Sequence, residues 1–251
     1  MSEMRFTKIT QWLAPEENGV KILTMPNIPY PLHKLAPRTL LGRPTWDAMR
    51  KKCYADAGYK CEICGAEGTC HAHEVYDINY ASQTATFKRC VCLCPLCHVR
   101  CIHTGRALTL YKHKSPLMPK EALLEGAEHA FKLIYDYNST HRSSKPLRVF
   151  SAWADFLKEP ELEPKMRELI KKYEIQFYKV DDVWYNDENW GKWKLVIGGF
   201  VYPTPYNDKE EWEEAMAKNN EGRKGEFVNP FAGGVFDEVD KFLKEEDETT
   251  K

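Results

Sequence analysis

Two Cys-x-x-Cys knuckles, 61-CEICG-65 and 94-CPLCH-98, give the chain the pattern C-x2-C-x29-C-x2-C. Each knuckle has the bite of a tetrahedral ion, and two together make the closed four-thiolate set of a structural zinc site. Gly65 supplies the tight turn after the first knuckle. Four thiolates leave no open position for a substrate, so this metal is a staple. It obliges Cys61 and Cys64 to meet Cys94 and Cys97, and whatever lies between must fold back on itself.

All nine cysteines fall between Cys53 and Cys101. No stretch of eighteen apolar residues is present, so no membrane partner is expected. The opening MSEMRFTKITQWLAPEE lacks the charged start and apolar core of a secretory signal. The expected localisation is therefore cytoplasmic, where thiols stay reduced and clustered cysteines read as metal ligands. Cys90, Cys92 and Cys94 alternate on one strand face. Cys90 and Cys92 read as small buried apolar residues near the zinc, and with Cys70 and Cys101 they are the remaining donors for a second zinc. Cys53 reads as core.

The stretch 19–44 is broken by Pro26, Pro29, Pro31, Pro37 and Pro44, so residues 1–44 are expected to form an extended N-terminal covering. Thr45 is a candidate N-cap for a helix over 46-WDAMRKKCYADAG-58, with Trp46, Met49, Cys53 and Tyr54 on one stripe and Gly58 as the stop. The β-rich stretches 70-CHAHEVYDI-78 and 85-ATFKRCVCL-93 flank a hairpin loop, 79-NYASQT-84, and a short helix is expected after Pro95. Leu123, Leu124, Ala127, Phe131, Ile134 and Tyr137 predict an amphipathic helix over 120–138, closing a unit of 45–138. The polar stretch 139-STHRSSKP-146 is a candidate boundary. Beyond it, 150–251 is expected as an accessory region of helices and strands. Short helices are predicted around 152–158 and 164–173, strands within 183–208 divided by Gly198-Gly199, a helix capped by Asn207 and Glu210, and a last helix over 236–251. Trp184, Tyr185, Trp190 and Trp193 in this region read as core rather than as a base-stacking surface.

Charge divides the chain. From His33 to Lys114 there are 13 Lys/Arg against 6 Asp/Glu, a formal +7, whereas Ser151 to Lys251 carries 15 against 24, a formal −9. The basic part suggests a polyanion-binding surface, and the acidic part a face for a protein partner. Lys88, Arg89, Arg100 and Arg106 are candidate phosphate contacts, Arg106 first because it follows the histidines.

The order helix, knuckle, β-hairpin, knuckle, helix resembles the HNH (ββα-metal) nuclease family in its four-cysteine zinc-binding form. The lead helix through 46-WDAMRKKCYADAGYKCEICG-65, the strand 71-HAHEVYDI-78 and 92-CLCPLCH-98 carry the match. The stretches 29-YPLHKLAPRTLLGRPTWDAMR-50 and 98-HVRCIHTGRAL-108 are similar to bacterial and phage HNH-containing proteins of unassigned function. The resemblance covers residues 29–115.

That resemblance implies an α+β fold, a zinc-stabilised ββα-metal module with flanking helices plus the C-terminal α+β region. It implies a nuclease that hydrolyses nucleic acid, DNA favoured, in a phage or genome-defence setting. His73 falls at the position of the general base. His98 falls at a ligand of one catalytic divalent ion, expected as Mg2+ or Mn2+, with His103 or His71 as further candidate ligands. The chain departs from the family in three places. Ala72 stands where a ligand normally precedes the base, and His71, Glu74 or Asp77 are possible substitutes. Lys88-Arg89-Cys90 stands where the family keeps an Asn. The gap of five from His98 to His103 exceeds the three or four that pair ligands on a regular helix. These departures support a rival reading, a catalytically degenerate HNH-fold module that binds nucleic acid or protein.

Overall fold

A long antiparallel hairpin organises the structure, a computed structural model that describes residues 6–17, 19–141 and 145–221. Before it come strands β1 (Phe6–Ile9) and β2 (Gln11–Trp12), two single 3-10 turns, and helices α1 (Pro37–Leu41) and α2 (Arg43–Asp56). The hairpin itself is β3 (His71–Asn79) and β4 (Thr84–Leu93). A π-helical segment, Leu96–Ile102, leads into α3 (Thr104–Lys112) and α4 (Lys120–Thr140). Strand β5 (Val149–Phe150), a 3-10 stretch over Ser151–Lys158, α5 (Glu163–Lys172) and β6 (Phe177–Val180) follow. The described chain ends with α6 (Asp187–Trp190), β7 (Lys194–Ile197), β8 (Phe200–Pro203) and α7 (Lys209–Glu221).

The strands form a five-stranded sheet in the order β2-β3-β4-β7-β8 and a three-stranded sheet in the order β1-β6-β5. In the hairpin His71 pairs with Leu93 and His73 with Val91, and the register shifts between Val75 and Tyr76. Strand β7 lies parallel to β4, pairing Thr84 with Lys194. It returns as β8 through Gly198 and Gly199, whose φ of 57° and 85° is the left-handed backbone of a tight hairpin turn. Strands β2, β7 and β8 thus share a sheet with the hairpin, whereas β1, β5 and β6 pair among themselves.

Two cores result. The larger gathers Val75, Val91 and Leu93 of the hairpin with Val99, Leu108, Leu123, Phe131, Trp153 and Phe177. The smaller joins Tyr76, Ile78, Tyr80 and Ala85 to Leu32, Trp193, Leu195 and Ile197. Trp190 and Trp193 are buried as expected of core. Helix α2 lies against the hairpin and buries Trp46 and Cys53, and Ala72 N–H donates to the Tyr54 hydroxyl at 3.2 Å.

Several local expectations shift. Helix α2 begins at Arg43 rather than after Thr45, because Pro44 needs no N–H partner in a first turn and Gly42 adopts φ 77° ahead of it. The C-terminal cap is Asp208, one residue beyond Asn207. Its Oδ1 accepts from Glu211 N–H at 2.8 Å, and Glu211 Oε2 accepts from Asn207 N–H at 2.8 Å. The aromatic run 183–190 is not strand but a 3-10 turn and α6, held by Asn186 Oδ1 accepting from Asn189 N–H at 3.1 Å. The helix expected over 236–251 lies outside the described residues.

Candidate metal centre

The first centre is the four-cysteine cluster. The Sγ atoms of Cys61, Cys64, Cys94 and Cys97 all lie within 4.8 Å of one another, so the set can bind a metal ion such as zinc. Cys61 and Cys97 are buried, while Cys64 and Cys94 are partly so. Gly65, at φ 76°, closes the first knuckle by donating its N–H to the Cys61 carbonyl at 2.8 Å. Glu62 clasps that knuckle to β4. Its backbone N–H donates to the Cys92 carbonyl at 2.8 Å, and its Oε1 accepts from the Cys92 N–H at 2.8 Å.

The thiols share protons unequally. Hydrogen bonds from Cys94 and Cys97 hold Cys61 far below the ordinary thiol value, while the bond to Cys61 pushes Cys94 up to about 12. Cys97 is raised too, first by the Cys101 thiol beside it and then by Cys61. A metal bound here would displace the protons that the thiols share. On the far side, His129 of α4 sets Nε2 3.4 Å from Cys97 Sγ, and Cys101 Sγ donates to the Gly126 carbonyl at 3.4 Å. Cys53, Cys70, Cys90 and Cys92 join no group of three donors among the described residues. Burial pushes Cys53 up to about 12 and raises Cys90 and Cys92, as suits neutral packing thiols.

The second centre is built of imidazoles. His71 and His73 are two residues apart on β3 and share its inner face. His98 follows the last zinc-knuckle cysteine, and His103 ends the π-helical segment. Donor nitrogens of His73, His98 and His103 lie within 4.8 Å of one another. Ring centroids are 5.3 Å apart for His73 and His98, 4.9 Å for His73 and His103, and 4.7 Å for His98 and His103. His71 adjoins the group through His98, its Nδ1 3.1 Å from Nδ1 of His98. Glu74, the residue after His73 and so on the opposite strand face, is raised to about 7 by burial and joins no donor group among the described residues.

Burial sets the electrostatics. His73 is only 6% exposed, and neither ring nitrogen has a hydrogen-bond partner. Desolvation lowers it to about 4. Burial likewise holds His98 and His103 well below the usual imidazole value, with neighbouring histidines and the Arg106 guanidinium adding to it. All three are neutral at pH 7, with lone pairs available. Two orphaned nitrogens in a dry site are costly, and a ligand, water or metal ion brought to the histidine cluster would offset part of that cost.

Donor chemistry selects the ion. Three neutral imidazoles, with no carboxylate in the group among the described residues, suit Zn2+, Co2+, Ni2+ or Cu2+. Mg2+ and Mn2+ take oxygen donors, so the ions expected from the resemblance do not fit this set.

The candidate phosphate contacts are engaged elsewhere. Lys88 pairs with Asp77 at 3.3 Å, Arg89 with Glu62 at 2.8 Å, and Arg100 with Glu125. Arg106 is buried beside the histidines. Spacing carried no signal for Glu62, Gly126 or His129, which act on the centres from other elements. No helix among the described residues is long and apolar enough to cross a membrane. No protein-family model, curated protein or solved structure matches the chain.

Proposed function

We propose that the chain is a metal-dependent phosphodiester hydrolase. More specifically, it is an HNH-type nuclease with a structural zinc in the cysteine cluster and nucleic acid, DNA favoured, as substrate. The convergence of His73 with His98 and His103 beside the second knuckle carries this reading. His98 and His103 would hold a transition ion, which supplies positive charge for a phosphoryl oxygen. His73, neutral at pH 7 and with both nitrogens unpartnered, takes the proton of the attacking water.

The test is cleavage of plasmid DNA and of RNA by the full chain with Co2+, Ni2+, Zn2+, Mn2+ or Mg2+. Cleavage is expected with transition ions and falls by roughly 100-fold or more in His73→Ala and His98→Ala. Cleavage indifferent to both substitutions sinks the assignment.

A second reading, a module that binds nucleic acid or protein without cutting it, draws on particular residues as well. The candidate base is 6% exposed, Ala72 replaces a ligand, and Lys88, Arg89 and Arg100 are ion-paired. Metal bound at both centres with no cleavage of any nucleic acid selects that reading.

A further inference from the structure

Both ring nitrogens of His98 lie against another imidazole. Its Nε2 lies 3.3 Å from His103 Nε2, and its Nδ1 lies 3.1 Å from His71 Nδ1. The His71 and His98 rings meet edge to face, with an interplanar angle of 81°. A neutral imidazole carries one N–H and one lone pair. Two lone pairs, or two N–H groups, facing each other at 3.1 Å would repel, so one nitrogen of the Nδ1 pair must carry the hydrogen.

Which one carries it follows from the other end of the ring. The nitrogen of His98 turned to His103 is Nε2. A metal held there needs the Nε2 lone pair, which leaves the His98 proton on Nδ1. We infer that His71 is a positioning residue: its Nδ1 lone pair accepts the Nδ1–H of His98 and so fixes His98 as an Nε2 ligand. The inference rests on the histidine cluster holding a metal, as proposed above.

Metal-bound histidines ordinarily donate their second N–H to a carboxylate or a carbonyl. Here the acceptor is a third-party imidazole, buried to 9% exposure and set on the same strand face as His73. His71 therefore acts through His98 and does not belong to the group of three donors.

Co2+ titration of the full-length metal-free chain tests this, read by visible absorption. The thiolate band of the four-cysteine centre reports in each variant that the fold is kept. Wild type takes up two equivalents. In His71→Ala the second equivalent binds about 10–100-fold more weakly, the size typical of losing an outer partner, with its visible spectrum unchanged because no ligand is lost. His71→Asn, whose Oδ1 stands in for Nδ1 as acceptor, restores affinity to within a few-fold. Unchanged affinity in His71→Ala overturns the inference. So does an altered visible spectrum, or His71→Asn as weak as His71→Ala, since both make His71 a ligand or a mere packing group. Uptake of one equivalent by wild type overturns the metal reading beneath it, and the inference with it.

Discussion

The backbone N–H of His103 donates to the carbonyl of His98, five residues back, at 3.2 Å. That bond is the π-helical register, and it resolves the gap of five. In an α-helix positions five apart diverge, whereas the wider π turn stacks them. His98 and His103 therefore present their Nε2 atoms to each other at 3.3 Å. The local winding is what lets both reach His73.

Exchanging the side chains of Ile102 and His103 separates the two geometries. An imidazole at 102 would sit four residues from His98, the better spacing for an α-helix and the wrong one here. The double variant Ile102→His/His103→Ile should bind the second equivalent of Co2+ or Ni2+ roughly tenfold more weakly or worse. Affinity equal to wild type would show that the segment rewinds to α, and that the π turn does not position the site.

Helix α4 holds that winding in place. A Cβ on Gly126 would meet Arg100 Cβ at 2.7 Å and the Arg100 carbonyl oxygen at 2.9 Å. The obstacle is backbone of the π segment and cannot swing aside. Gly126→Ala should cost about 1–3 kcal/mol in urea denaturation, the range for overpacking a tight contact. It should also weaken second-centre metal binding more than a surface change such as Glu121→Ala does. A neutral Gly126→Ala would remove α4 from this role.

Much of the hairpin and the cysteine cluster was legible in the sequence because both rest on local grammar. Cys61, Cys64, Cys94 and Cys97 follow ligand spacing, 70–78 and 85–93 follow strand alternation, and 120–138 follows helical periodicity. The convergence of His73 with His98 came through resemblance alone. What escaped was non-local or broke a regular period. The parallel pairing of β4 with β7 joins Thr84 to Lys194, and no local pattern encodes such a partner. The π segment violates the 3.6-residue period on which the His98–His103 gap was judged. The run 183–190 read as strand because aromatic and β-branched residues favour strands, yet the Asn186 cap decided otherwise.

His129 should matter to the cysteine centre although it is no ligand there. Burial holds it below the usual imidazole value, so it is neutral at pH 7 and carries one N–H. With Nε2 3.4 Å from Cys97 Sγ, that N–H would donate to a thiolate bound to a metal there and offset its desolvation. His129→Ala should weaken zinc retention against a competing chelator by about 10–100-fold, and His129→Gln by less. Equal retention in all three proteins would leave the contact as packing.

Acid sensitivity should arise at His33, far from either metal centre in the sequence. His33 is buried beside Tyr30 and Trp212, with ring centroids 5.5 and 5.6 Å away. Desolvation lowers it to about 4, against a backbone hydrogen bond to Ile28 that raises it slightly. An unfolded histidine titrates near 6.5. Between those values the unfolded chain binds a proton that the folded chain refuses, so stability falls as pH drops from about 6.5 to about 4 and levels off below. The group's share is about 3 kcal/mol over that window. His33→Phe keeps an aromatic ring in the cluster and cannot titrate. Its stability relative to wild type, measured by urea unfolding at pH 7.5 and pH 4.5, should therefore improve by most of that amount at the lower pH. A difference that stays constant between the two would mean that His33 accepts its proton within the folded protein.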